Sequence, residues 1–174
     1  MTDLAHAKSL IRDVPDFPKP GILFRDVTPL LADAEAVNAL AKRMADPWRD
    51  KHIAAVAGME SRGFIFGTLV AQQLQCGFIP VRKPGRLPFK TESVSYGLEY
   101  GTDTLEIHID AVEQGERVLI CDDLIATGGT AGATQQLIER IGGVVAGYSF
   151  AIELTDLNGR SKLGDVDVDS VWKL

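Results

Sequence analysis

The stretch that most restricts this chain is residues 117–133, Arg-Val-Leu-Ile-Cys-Asp-Asp-Leu-Ile-Ala-Thr-Gly-Gly-Thr-Ala-Gly-Ala. Its apolar run 118–121 has the length and β-branched content of a buried parallel strand. Asp122 and Asp123 follow, then Ala126-Thr127-Gly128-Gly129-Thr130, then a helical pattern with Leu137, Ile138 and Ile141 on one face. A strand, a small-residue turn and a helix start build an anion site. Glycine lets the backbone turn sharply, and the first helical amides have no partner inside the helix. Thr127 and Thr130 add hydroxyl donors. Carboxylates repel phosphate, so Asp122 and Asp123 are expected to face sugar hydroxyls or a cation. A phosphorylated sugar satisfies both halves. The stretch lacks the Gly-Lys-Ser/Thr of a Walker A loop and the G-x-G-x-x-G of a dinucleotide fingerprint.

The surrounding chain is that of an ordinary globular protein. Its 174 residues suffice for one domain with a sizeable core. No apolar run approaches membrane-spanning length, and the N-terminus lacks a signal-peptide pattern, so a cytoplasmic protein without a membrane partner is expected. A net charge of −6 argues against a nucleic-acid partner. The two cysteines, Cys76 and Cys121, sit in apolar contexts and read as small core residues.

Taken in order, residues 3–13 have helical spacing, and residues 14–21, with three prolines and a glycine, break it. Thr28-Pro29 marks a helix start. A helix is expected over 34–44, a strand over 52–58, a polar turn at 60–63, a helix over 64–74 and a strand over 77–82. Residues 104–109 alternate with Leu105, Ile107 and Ile109 inward, and 143–152 reads as a last core strand before a less regular tail. Repeated strand–turn–helix units predict an α/β fold, a doubly wound, mostly parallel sheet with helices on both faces. Ligands of such sheets lie beyond the C-terminal strand ends. That rule puts residues 60–63, Arg82-Lys83 and 122–130 on one rim. Residues 83–101 show no clear period and read as a lid or binding loop.

With the central motif, several other stretches resemble the adenine branch of the type I phosphoribosyltransferases. These are Phe17-Pro18, Pro20-Gly-Ile-Leu-Phe-Arg-Asp26, Glu60-Ser-Arg-Gly-Phe64, Val81-Arg-Lys-Pro-Gly-Arg-Leu-Pro88 and Leu98-Glu-Tyr-Gly101. The resemblance runs from about residue 16 to 155. It implies one domain over 1–174, with an N-terminal hood at about 1–33 and a flexible catalytic loop at about 83–102. The implied reaction joins adenine to 5-phosphoribosyl-1-pyrophosphate (PRPP), giving AMP and pyrophosphate in purine salvage. A homodimer and Mg²⁺, held mainly by PRPP oxygens and water, are implied as well.

The resemblance assigns roles residue by residue. Ala126, Thr127, Gly128, Gly129 and Thr130 would cradle the 5-phosphate, and Asp122 and Asp123 would hold the ribose hydroxyls. Arg62, Lys83 and Tyr100 would meet pyrophosphate. Leu23, Phe24 and Arg25 would bind adenine, with Phe24 stacking on the ring and the backbone of its neighbours reading the edge. By periodicity alone, residues 22–24 would be core. Glu99 would be the general acid/base, although by residue type alone it reads as an exposed glutamate. Arg82, Lys83, Arg86 and Lys90 form a basic run suited to an anion or simply to solvent.

Two other functions fit parts of the pattern. A phosphoribosyltransferase for another base would share the cradle. Hypoxanthine-guanine enzymes, however, typically carry Glu-Asp at 122–123, and orotate enzymes lack the 20–26 segment. A PRPP-sensing regulator would share the cradle but carry a DNA-binding domain, for which the short segment before Phe17 is too small.

Overall fold

The computed structural model of the chain describes residues 4–98 and 101–174. Its contacts group them into two compact units, within residues 1–43 and 44–174. The expected hood, about 1–33, falls inside the first.

In the first unit, helix α1 (Leu4–Ser9) gives way to strand β1 (Arg12–Pro15), which pairs antiparallel with β2 (Leu23–Asp26). The helix expected over 3–13 therefore ends early. So short a helix is marginal by itself, and residues 12–15 find ladder partners in 23–26 instead. Asp26 precedes helix α2 (Thr28–Leu31), its Oδ1 accepting from the Thr28 amide at 2.9 Å and hydroxyl at 2.6 Å. The Thr28 bonds, with Arg12 Nη2 at 2.5 Å, hold the Asp26 carboxyl down at about 2. Asp33 similarly accepts from the Glu35 and Ala36 amides at 3.1 and 2.9 Å, capping helix α3 (Ala34–Ala45).

The second unit is built on five parallel strands. Strands β3 (Ala55–Met59), β4 (Gly77–Val81), β7 (Arg117–Ile125), β8 (Val144–Glu153) and β9 (Val168–Lys173) lie in the order β4-β3-β7-β8-β9. The chain steps one way from β3 to β4, then the other way through β7. The switch point between β3 and β7 is where such a sheet opens a crevice. Side chains alternate across the sheet. Ala57, Ile79, Ile120 and Tyr148 share one face, in one core with Leu137 and Ile138 of helix α5 (Gly129–Arg140). Phe78 points to the other face, and Phe64 of helix α4 (Arg62–Leu74) meets it edge-on at 5.9 Å. Each fully buried Leu or Ile in these layers contributes about 1.5–3 kcal/mol.

Residues 91–98, expected within an irregular loop, form strand β5 (Thr91–Leu98), paired residue for residue with β6 (Gly101–His108). Val94, Leu105 and Ile107 of this hairpin enter the core. Ile109, expected inward, is 44% exposed because β6 ends at His108. Among the described residues no helix is long and apolar enough to cross a membrane.

Candidate active site

Strand β7 continues past Cys121 to Ile125, so Asp122 and Asp123 are strand residues, and both carboxyls reach the first turn of helix α4, Asp122 beside Gly63 and Asp123 beside Arg62. Asp122 follows the parity of Ile120 and lines a cavity of about 110 Å³ with residues 124–131, Met59 and Phe150. Asp123 is 4% exposed, its side chain is hydrogen-bonded to that of Asp122, and its Oδ2 lies 2.5 Å from Nε of Arg62 at the start of α4. Burial, reinforced by the adjacent Asp123 charge, pushes the Asp122 carboxyl well above the usual carboxylate range, with Arg62 pulling the other way. A carboxylate kept at this energetic disadvantage is poised to gain from a hydroxyl donor or a cation.

The turn after β7 is shaped by Gly128 (φ +77°), which takes the N-cap position of α5 without any side-chain cap. The first turn of α5 therefore has no side-chain cap on its amides. The backbone of the 3-10 turn Gly159–Lys162 stands directly behind. A Cβ on Gly128 would collide with the Gly159 carbonyl, and a Cβ on Gly159 with the Ala126 carbonyl. Two strands of bare backbone are pressed together here, and only glycine permits the approach. Arg160 anchors this segment. Its Nε and Nη2 donate to Glu153 Oε1 and Oε2 at 2.6 Å each, Nη1 to the Val168 carbonyl at 2.8 Å, and Nη2 also to Ser170 Oγ at 3.2 Å.

Glu60, at the end of β3, organises the basic run. Its Oε2 accepts from the Lys83 amide at 2.7 Å, its Oε1 from Arg86 Nη1 at 2.6 Å, and Arg82 Nε lies 3.4 Å away. Lys83 Nζ sits 3.0 Å from Asp103 Oδ2. Glu60 and Asp103 therefore balance part of the charge of a run that carries no acid in sequence. The Glu60–Ser61 peptide is cis.

The structure thus brings Asp122, Asp123, Arg62 and residues 126–130 together, with Lys83 on the loop after β4. Leu23, Phe24 and Arg25 lie on β2 in the first unit. Leu23 is exposed, the Phe24 ring meets Phe17 edge-on at 5.1 Å, and Arg25 pairs with Asp13. An apolar recess lined by Val14, Phe17, Phe24 and Asp26 opens beside the ring. Glu99 and Tyr100 lie outside the described residues. Among the described residues, no cluster of three or more His, Cys, Asp and Glu has the geometry of a metal site. The hard oxygen donor of Asp122 in the cavity fits a Mg²⁺ ion that takes its other ligands from phosphate oxygens and water.

Sequence reasoning missed the roles of Glu60, Asp103, Arg160 and Gly159, and also Tyr96, whose hydroxyl lies 3.2 Å from Thr130 Oγ1. Arg160 acts on residues seven to ten positions away, and the others on partners twenty or more positions away. The only local sign is the small-residue pair Asn158-Gly159 in the tail.

Residues 27–166 match the phosphoribosyl transferase domain. The chain is 56% identical over 173 residues to the adenine phosphoribosyltransferase of Francisella philomiragia, covering 98% of this chain and 99% of that one. Its fold superposes on the crystal structure of the Rhodothermus marinus adenine phosphoribosyltransferase with a TM-score of 0.93, at 53% identity and 98% coverage of both chains. The Saccharomyces cerevisiae adenine phosphoribosyltransferase, solved with an imino-altritol bisphosphate and adenine, matches with a TM-score of 0.89 at 37% identity, covering 97% of this chain and 98% of that one.

Proposed function

The chain belongs to the phosphoribosyl transferase family, and we propose that it transfers the 5-phosphoribosyl group of PRPP to N9 of adenine, giving AMP and pyrophosphate in purine salvage. The observation that carries this reading is the backbone cradle at the start of α5 with Asp122 on its wall. Relatives named for this reaction match over nearly the whole chain and support adenine as the base.

In this reading the main chain of 126–130 holds the 5-phosphate. Asp122 and Asp123 take the ribose 2- and 3-hydroxyls. Arg62 and Lys83 now rest on Asp123 and Asp103. Each exchanges its carboxylate for pyrophosphate oxygens, and the departure of Arg62 frees Asp123 for the sugar. As the C1–O bond to pyrophosphate breaks, positive charge grows on the ribose, which the two carboxylates favour. N9 forms the new bond to C1, and the proton leaves N7 for Glu99. Tyr100 joins Arg62 and Lys83 on pyrophosphate. Leu23, Phe24 and Arg25 hold the purine, with Phe24 supplying the stacking face. Mg²⁺, through Asp122 and PRPP oxygens, would neutralise charge on the leaving group. A homodimer, resting on the family resemblance, and a cytoplasmic setting, resting on the sequence pattern, complete the proposal; light scattering after gel filtration tests the first.

The test is formation of AMP and pyrophosphate from PRPP with adenine, set against hypoxanthine, guanine, xanthine and orotate, each with and without Mg²⁺. Mg²⁺-dependent turnover of adenine alone is expected. Turnover of a 6-oxopurine instead would overturn the base assignment and leave the cradle standing. Tight PRPP binding without turnover would mark a regulator.

A further inference from the structure

We propose that Asp103 is a built-in competitor for Lys83: its carboxylate pairs with the ammonium while pyrophosphate is absent and reclaims it as pyrophosphate leaves, which weakens the hold on PRPP and on pyrophosphate alike. This rests on the reading of Lys83 as a pyrophosphate ligand. Asp103 Oδ2 lies 3.0 Å from Lys83 Nζ. The two residues come from different elements, Asp103 from β6 and Lys83 from the loop after β4.

The two partners are held in different ways. The Asp103 carboxyl is anchored at two further points. Its Oδ1 accepts from the Thr104 amide at 2.9 Å, and the hydroxyl of Tyr96, its register partner on β5, donates to the same carboxyl. Hydrogen bonding by Lys83, opposed by burial, holds the carboxyl below its ordinary value, so it is charged across the neutral range. The Lys83 backbone is fixed as well, its amide donating to Glu60 Oε2 at 2.7 Å. The ammonium sits on a flexible stem, in a side chain 51% exposed, and is the part free to swing. When Lys83 turns to pyrophosphate, the carboxylate stays behind on Thr104 and Tyr96, within reach to take the ammonium back.

Arg62 and Asp123 offer a contrast. Asp123 exchanges Arg62 for ribose hydroxyls, so a new contact to substrate offsets the broken pair. No part of the substrate falls to Asp103. Its pair with Lys83 breaks without replacement, and a negative charge is left beside bound phosphate oxygens. Both effects weaken ligands that use Lys83. They spare AMP, whose one phosphate belongs to the cradle at 126–130.

Removing the carboxylate should therefore tighten binding, which damage to the fold does not do. Asp103→Asn keeps an oxygen for the Thr104 amide and removes the charge. It should lower KM for PRPP and for pyrophosphate about 2- to 10-fold, the scale of one partly exposed ion pair with the added repulsion. Pyrophosphate should become a stronger product inhibitor of the forward reaction by a similar factor. KM for AMP and for adenine should not change. In a Lys83→Met background the gain should largely disappear. Initial rates in both reaction directions on wild type, the two single variants and the double variant, with Tm measured alongside, read all of this. A higher or unchanged KM for PRPP and pyrophosphate in Asp103→Asn, an equal gain for AMP, or an undiminished gain in the Lys83→Met background would each overturn the inference. Should Lys83→Met itself leave the pyrophosphate KM unchanged while adenine is still turned over, the placing of Lys83 on pyrophosphate falls, and this inference with it, while the reaction assignment stands.

Discussion

Replacing Arg160 by alanine removes four hydrogen bonds at once: two to Glu153, one to the Val168 carbonyl and one to Ser170 Oγ. It also leaves the Glu153 carboxylate, in a residue only 8% exposed, without its cation. Breaking a fully buried ion pair from one side costs about 3–5 kcal/mol. The Arg160 side chain is 35% exposed, so water reaches the vacated space and reduces the penalty to about 2–3 kcal/mol. For a chain of this length that is a fall in Tm of about 4–12 °C. Arg160→Lys keeps a charge but loses the paired geometry, and should fall between wild type and Arg160→Ala. The pH dependence gives a second handle. Hydrogen bonds from Arg160 hold the Glu153 carboxyl below its usual value. A depressed carboxylate contributes stability that is fully present above the unfolded value, about 4.3, and is lost as pH falls through the folded value. The gap in Tm between wild type and Arg160→Ala should therefore be widest near neutrality and narrow below about pH 4. Calorimetry from pH 7 to pH 3 reads both. A Tm change under about 1 °C at neutral pH, or a gap independent of pH, would refute the reasoning. Because Arg160 fixes the segment behind Gly128, the variant should also raise the KM for PRPP more than that for adenine.

Other outcomes follow from the same geometry. Asp122→Asn should abolish PRPP turnover yet raise the ligand-free Tm by about 2–6 °C. The wild-type carboxyl is raised in the folded state, so folding is penalised at neutral pH, and the penalty shrinks as pH falls below the folded value and is gone below the unfolded value, about 3.9. The stability advantage of the Asp122→Asn variant should accordingly be largest at pH 7 and vanish in acid, which a Tm series would show. Glu99→Gln should lower kcat about 10²- to 10⁴-fold while leaving PRPP affinity in place; equal activity would remove Glu99 from the proton step. The Asp26 carboxyl, held at about 2, should stay ionised through pH 3 in an NMR titration, and its contribution to stability should be lost only as pH drops from about 4 toward 2.

What could be read from the residues follows a physical line. The β7–turn–α5 unit was legible because an apolar run, two glycines and a helical apolar period are all local signals. Strand β5 was not. Thr-Glu-Ser-Val-Ser-Tyr-Gly-Leu presents small polar residues, and among those whose burial is described only Val94 is buried. Pairing with β6 makes it a strand, and pairing leaves no local mark. The same applies at the site. Asp122 and Asp123 were recognisable as a pair, yet their place inside a strand, against the first turn of α4, depends on β7 running to Ile125. Glu60 with Arg86, Tyr96 with Thr130 and Gly128 with Gly159 are all contacts between residues far apart in the chain, set by how the sheet is wound. The basic run at 82–90 illustrates the point best: three of its four cations face the carboxylates of Glu60 and Asp103 in space.

The backing of the cradle has a consequence for synthesis of the protein. The motif at 126–130 is translated well before the segment that supports it, and that segment is fastened through Val168 and Ser170 on β9. A nascent chain halted after β8 would already carry each residue assigned to PRPP, but its turn would have nothing behind it. Ribosome-bound intermediates should then lack affinity for PRPP until β9 has emerged and docked. Ligand capture would thus report completion of the sheet, and the substrate would stabilise only chains that have finished assembling it.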